Sequence, residues 1–129
     1  ELKAMSDIVS TNDIELAKSN LRVIKQTASQ VIKDFATFSI DIRFPENIQL
    51  AYNELFDQVH ECIHNLLRKN PEKLMSLLYR IDLSEGSMKT ARSAINKNTE
   101  AVIISELILH RELQKVLIRN YFSANDNKK

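Results

Sequence analysis

Apolar residues recur at alternating intervals of three and four along two stretches of the chain. An average interval of 3.5 residues keeps such side chains on one face of an α-helix. The pattern therefore predicts two long amphipathic helices, one from Asn12 or Asp13 to about Thr37 and one from Pro45 to about Lys69. The inward positions are Ile14, Ala17, Leu21, Ile24, Ala28, Val31, Phe35 and Phe38 in the first helix, and Ile48, Tyr52, Leu55, Val59, Cys62 and Leu66 in the second.

The segment between these helices carries two overlapping patterns. Phe38 continues the helical spacing, but Phe38, Ile40, Ile42 and Phe44 also alternate with polar residues, which is the period of an extended chain. Residues 38–44 can therefore be the end of the first helix or an extended connector. Since no second strand is predicted to pair with this segment, we expect an extended connector that covers one end of the helices.

The second half of the chain predicts a broken helix followed by a long one. Asn70 and Pro71 are a typical cap and first residue of a helix, and the segment from Asp82 to Glu85 has the layout of a capping box, which predicts a break there. The last helix, from about Thr99 to Phe122, is apolar around most of its circumference in its first half, which is typical of a helix that others surround. These elements predict an all-α fold, an antiparallel (up-down) four-helix bundle with a broken third helix.

Composition agrees with one folded domain over residues 1–129, with flexible tails at 1–11 and 123–129. Hydrophobic residues make up 43% and charged residues 27% of the chain, and a single glycine leaves little turn chemistry for a sheet. No segment has the roughly 20 apolar residues that cross a bilayer, so we expect no membrane partner and a cytoplasmic location. Cys62, the single cysteine, falls on the inward side of its helix and is expected to be buried and unreactive.

One short motif resembles an enzyme signature. Residues 60–64, which read His-Glu-Cys-Ile-His, match the HExxH signature of the zincin metalloproteases. That resemblance implies that His60 and His64 would bind zinc and that Glu61 would act as general base. The sequence departs from the extended form of the motif, because no glycine and no third histidine occur just after His64, where residues 65–70 read Asn-Leu-Leu-Arg-Lys-Asn.

The helical register argues against a zinc site. With Val59 and Cys62 facing inward, His60, Glu61 and His64 fall on the outer face, where no neighbouring element can complete a coordination sphere. We therefore predict no catalytic residue, metal or cofactor. Three charged residues with apolar neighbours, Arg80, Asp82 and Glu106, are instead predicted to form a partly buried network that ties the broken third helix to the last one.

Charge is unevenly distributed along the chain. Residues 1–64 hold 6 lysine and arginine against 10 aspartate and glutamate residues, and residues 65–129 hold 12 against 7, so that the two halves carry −4 and +5. The last helix has a basic face on which Arg111, Lys115 and Arg119 recur every fourth residue. This face is a candidate partner-binding surface, although positive charge is also favoured near the C-terminus of a helix for local reasons.

These patterns favour a non-enzymatic protein that acts through protein–protein interaction. Leu16, Val23 and Ile32 lie beside the inward face of the first helix, and this extra apolar width predicts a homodimer interface. An alternative is a nucleic-acid or acidic-partner binder that uses Arg111, Lys115 and Arg119. A zinc-dependent hydrolase that uses residues 60–64 is the remote alternative.

Overall fold

A computed structural model describes residues 9–93 and 96–127, and these residues form six α-helices. Within these residues no strand occurs, so the predicted all-α class is confirmed. Residues 1–8 and 128–129 of the predicted tails lie outside the described residues, as does the side chain of Ile48. The helices are α1 (Thr11–Ala17), α2 (Leu21–Ala36), α3 (Ala51–Lys69), α4 (Pro71–Ile81), α5 (Glu85–Arg92) and α6 (Lys97–Asn127).

The first predicted helix is divided in two. Ser10, and not Asn12 or Asp13, caps α1, and Asp13 completes a capping box with it. The backbone leaves the helix after Ala17, and the side chain of Asn20 accepts a hydrogen bond from the Val23 amide to start α2. The apolar spacing continues through this break, so spacing alone could not show it, whereas asparagine and serine compete for backbone hydrogen bonds and favour caps.

The connector between α2 and α3 begins with a hydrogen-bonded turn at residues 37–39, where Ser39 has a φ angle of 60°. Residues 40–47 then form no helix and no strand, so neither predicted pattern describes the whole of residues 38–44. Ile42 is buried, and Phe38 and Ile40 pack against the core, whereas Phe44 is largely exposed. The connector is held against α3 by Gln58, whose Oε1 accepts from the Arg43 amide at 2.7 Å and whose Nε2 donates to the Arg43 carbonyl at 2.9 Å. A 3₁₀ turn, Ile48–Leu50, precedes α3, which therefore begins later than Pro45.

The inward face of α3 is rotated from the predicted one. Leu55, Val59 and Ile63 are fully buried at intervals of four residues, while Cys62 and Leu66 are only half-buried. An ideal α-helix has 3.6 residues per turn, so its buried face shifts gradually around the axis relative to a strict seven-residue repeat. This rotation brings the side of α3 that carries His60 and His64 closer to the core than the heptad register implied.

The third predicted helix breaks where expected but with different caps. Asp82 adopts a left-handed conformation, with a φ angle of 69°, and closes α4. Ser84 caps α5 through its hydroxyl, which accepts from the Ser87 amide at 3.1 Å. Asp82 is therefore the end of one helix and not the cap of the next, which fits the tolerance of aspartate for left-handed backbone.

Helix α6 is central and contacts each of the other five helices. It continues to Asn127, beyond the expected end at Phe122. One apolar cluster joins its first half to α2, α3, α4 and α5, and a second joins its later turns to α1, α2 and the start of α3. Val9, in the segment predicted as a flexible tail, is buried in the second cluster. In the described part of the chain, no helix combines the length and apolar character needed to cross a membrane.

Candidate functional site

A groove of about 550 Å³ runs between the start of α5 and the middle of α6. The three predicted partner-binding residues, Arg111, Lys115 and Arg119, all line it, because residues four apart share one face of a helix. The remaining lining residues are Asp82, Leu83, Ser84, Ser87, Leu107, His110, Gln114 and Ile118. The groove therefore combines a basic wall with apolar and hydroxyl-bearing side chains.

Each of the three cations also has a partner within the chain. Arg111 pairs with Asp82 at 3.1 Å and donates to Gln114 at 2.7 Å. Arg119 donates to the amide oxygen of Gln30 at 3.2 Å, so its charge is not neutralised by that contact. These contacts tie α6 to the α4–α5 break and to α2.

Lys115 leads from the groove to a buried pair of carboxyl groups, Asp34 of α2 and Glu112 of α6. Their residues are 3% and 0% exposed. The Lys115 Nζ lies 3.2 Å from Asp34 Oδ2 and contacts a Glu112 carboxyl oxygen as well. Arg80 of α4 reaches Asp34 from another direction, with its Nε 3.5 Å from Oδ1, and Gln30 donates to both Asp34 oxygens at 3.2 Å.

The two carboxyl groups differ in pKa. Burial, reinforced by hydrogen bonding to Asp34, raises the pKa of Glu112 to about 8. Burial alone would raise the pKa of Asp34 too, but hydrogen bonds from Glu112 and Gln30, together with the charge of Lys115, lower it below the usual value. At neutral pH the pair therefore holds one proton, mainly on Glu112, and one negative charge, mainly on Asp34.

The predicted network of Arg80, Asp82 and Glu106 does not form. Glu106 is exposed, Asp82 pairs with Arg111, and Arg80 pairs with Asp34. The buried charges lie elsewhere because the inward face of α6 passes through Glu112. A sequence signal for this existed: Ser105, Leu109, Glu112 and Val116 follow the same three-and-four spacing as the apolar positions, and all four are buried.

The HExxH match on α3 lies partly at the surface. Glu61 is exposed, but His60 and His64 are half-buried, so the prediction that all three face solvent is wrong for the two histidines. His60 stacks on Phe56 with ring centroids 6.0 Å apart, and the Nε2 of His64 lies 3.1 Å from the Oδ1 of Asn98 in α6. The rotation of α3 toward Ile63 accounts for this placement.

Side chains that could complete a metal site are not gathered around this motif. Among the residues that the structure describes, no group of three or more histidine, cysteine, aspartate or glutamate side chains is placed to hold a metal ion. Cys62 lies between the two histidines, half-buried rather than fully buried, and burial raises the pKa of its thiol to about 11. The thiol is therefore protonated at neutral pH, which makes it a poor nucleophile.

An apolar corner forms where α1 meets the end of α6. We use this name for Leu16, Tyr121 and Phe122, which are 64%, 47% and 43% exposed. Leu16 and Tyr121 border a depression of about 290 Å³ whose floor includes Val23 and Leu117. Tyr121 and Phe122 meet edge to face, with centroids 5.4 Å apart.

The corner differs from the predicted homodimer surface. Val23 is buried, and Ile32 is half-buried and packs against the larger apolar cluster. Both residues therefore serve the inside of the fold, and of the three predicted interface residues only Leu16 is exposed. Tyr121 is about half exposed beside it.

Comparisons with known proteins leave the site to be interpreted from its own geometry. No protein-family model, curated protein or solved structure matches the chain.

Proposed function

We propose that this chain is a non-enzymatic helical protein that acts through protein–protein interaction, and that it forms a homodimer through the apolar corner. The observation that carries the proposal is the exposure of Leu16, Tyr121 and Phe122 at one place on the surface. Single exposed apolar residues are common in folded proteins. Three large ones that lie together, two of them at the border of a depression, are typical of an interface.

The chemistry of the corner suits an interface core. Aromatic side chains are enriched at protein interfaces, since they bury a large area at little cost in conformational entropy. Tyr121 can bury its ring and keep its hydroxyl in water at the rim. Leu16, from a different helix, extends the same surface, so that a partner would touch α1 and α6 together.

A second copy of the chain is the occupant that we propose for the corner. Asp13 is the one charged residue among those that line the depression, so most of the lining is uncharged. A two-fold contact places the same surface on both sides and lets the two copies bury their apolar side chains against each other.

The proposal includes the arrangement of the helices. We infer four antiparallel arms: α1 with α2, then α3, then α4 with α5 as the broken third arm, and α6. The contacts of α6 with every other helix support this arrangement, and the apolar corner lies where the first and last arms meet. A cytoplasmic location stays a prediction from the sequence.

Light scattering coupled to size-exclusion chromatography tests the homodimer. We expect the mass of a dimer for the unchanged chain and the mass of a monomer for Leu16→Glu, because a charge in an apolar interface core is left unpaired on association. Met75→Glu is the matched control: Met75 is exposed on α4, outside the corner, and its replacement should leave the dimer intact. Circular dichroism checks that each variant is folded.

Two results would count against the proposal. One is a monomeric mass for the unchanged chain at the highest concentration that can be loaded. The other is a dimer that Leu16→Glu leaves intact while Met75→Glu disrupts it, which would move the interface to the outer face of α4.

A further inference from the structure

We propose that the groove between α5 and α6 is a second binding site, and that it takes an acidic amphipathic helix from another protein. The site joins a row of three cations, Arg111, Lys115 and Arg119, to an apolar strip formed by Leu83, Leu107 and Ile118. None of these residues lines the depression at the apolar corner. The inference therefore does not depend on the homodimer.

The charges around the groove complement an acidic partner. Around the groove, the cations Arg80, Arg111, Lys115 and Arg119 face the carboxylates of Asp34 and Asp82, while the buried Glu112 is protonated at neutral pH. Positive charges thus exceed negative charges by two. Arg119 contributes most to this excess, since it is exposed and its contact in the chain is with a neutral amide.

The spacing of the three cations suits a helical partner. The three cations recur every fourth residue, which separates them by about 6 Å along the axis of α6. Glutamates at every fourth position of a partner helix have the same separation, so an antiparallel or parallel helix laid along the groove can meet all three. Arg119, which is exposed, can bind a carboxylate with two parallel N–H groups, which adds geometric selectivity to the charge.

The apolar lining of the groove favours a protein partner over a nucleic acid. Leu83, Leu107 and Ile118 are half-buried side chains that still line the groove, and they offer apolar area to the leucine-type stripe of an amphipathic helix. Among the described residues that line the groove, there is no phenylalanine, tyrosine or tryptophan to stack on a base. A nucleic acid would meet the cations through phosphates but would leave the apolar strip without a partner.

Fluorescence anisotropy with labelled synthetic helices tests the proposal. The probe is a peptide of about 20 residues with three glutamates at every fourth position beside a leucine stripe. Two control peptides replace the glutamates with glutamine or the leucines with serine, and a DNA duplex and a single-stranded RNA serve as competing ligands. We expect the unchanged chain to bind the first peptide at least about tenfold more tightly than either control peptide, the scale of one lost charge-assisted contact.

Variants assign the binding to the groove. Arg119→Glu should weaken binding of the first peptide by about tenfold or more, and it is not expected to disturb the core because the residue is exposed. Arg68→Glu is the matched control, since Arg68 is an exposed arginine on α3, outside the groove. Leu16→Glu should leave peptide binding unchanged, which keeps a failure of this proposal distinct from a failure of the homodimer.

Several outcomes would overturn the inference. Equal binding of the glutamate and glutamine peptides would remove the charge argument, and equal binding of the leucine and serine peptides would remove the apolar one. Unchanged binding by Arg119→Glu would place the peptide elsewhere. Tighter binding of the duplex or the RNA than of any peptide would make the basic face a nucleic-acid surface instead.

Discussion

The buried carboxyl of Glu112 makes the stability of the fold depend on pH, and the substitution Glu112→Gln tests this dependence. The pKa of Glu112 is raised from 4.5 to about 8 by burial and by hydrogen bonding to Asp34. Between these two pH values the folded chain holds a proton that the unfolded chain has already released. The contribution of Glu112 to stability is therefore full below pH 4.5 and is lost as the pH rises through 8.

The size of this effect follows from the two pKa values. One proton bound in the folded state alone changes the free energy of unfolding by about 1.4 kcal/mol per pH unit. Between pH 5 and pH 9 the loss for the unchanged chain comes to about 4 kcal/mol. Glutamine has nearly the same shape and carries no charge at any of these pH values.

The assay is urea denaturation followed by circular dichroism, repeated from pH 5 to pH 9 with both proteins. The quantity of interest is the difference in the free energy of unfolding between Glu112→Gln and the unchanged chain, since the contributions of the histidines cancel in that difference. We expect the difference to grow by about 4 kcal/mol in favour of the variant as the pH rises. The matched control is Glu106→Gln, which removes an exposed carboxylate from the same helix and should give a nearly constant difference.

A difference between Glu112→Gln and the unchanged chain that stays constant within about 1 kcal/mol would refute the reasoning. It would mean that Glu112 ionises in the folded chain at much the same pH as in the unfolded chain. The carboxyl would then have access to water, or the positive charge of Lys115 would stabilise the ionised carboxylate enough to offset the cost of burying it. In either case the proton shared with Asp34 at neutral pH would not exist.

Two further predictions concern the ends of helices. Asn20→Ala should lower the free energy of unfolding by about 1 kcal/mol, because Asn20 caps α2 through a 3.1 Å hydrogen bond from the Val23 amide; urea denaturation measures this, and no loss would contradict the break between α1 and α2. Ser39→Gly should raise the free energy of unfolding by about 0.5 kcal/mol, since Ser39 has a φ angle of 60° that glycine adopts without strain. Ser76→Gly, at an exposed position inside α4, should instead lower it by about 0.5 kcal/mol, and a loss in both glycine variants would argue against a left-handed backbone at Ser39.

The features that the sequence predicted well have strong local causes. Asn70 is a favourable cap and Pro71 a favourable first residue of a helix, and α4 begins at Pro71. The alternation from Phe38 to Ile42 has a period that a helix cannot satisfy, and α2 ends before it, at Ala36. The long apolar stretch after Ala101 predicts a helix surrounded by others, and α6 contacts all of them.

The features that the sequence did not predict depend on rotation and on tertiary contact. The heptad register placed Cys62 inward, whereas packing against α6 turns α3 toward Ile63 and draws His64 to Asn98. The break before Leu21 is hidden because the apolar spacing runs through it. The burial of Glu112 is not predicted, because charged residues usually face solvent, although its spacing from Leu109 and Val116 places it on the inward face.

Polar contacts between α2 and α6 help to specify the register in which α6 packs. A helix that is apolar around much of its circumference can pack in several registers with similar burial, so apolar contact alone specifies its position weakly. The polar partners across α2 and α6 run in opposite directions along the two helices: Gln26 with Asn120, Gln30 with Arg119, and Asp34 with Lys115.

These pairs fix the antiparallel register of the two helices. A slip of α6 by one turn would bring Arg111 or Arg119 to Asp34 in place of Lys115, because these cations recur every fourth residue, but it would separate Gln26 from Asn120. A reciprocal pair of hydrogen bonds between Gln26 and Asn120, at 2.8 and 3.2 Å, sets the same register at the other end. The same register places Arg119 beside Gln30 and Lys115 over the buried carboxyl groups, and this arrangement lines up the basic wall of the groove.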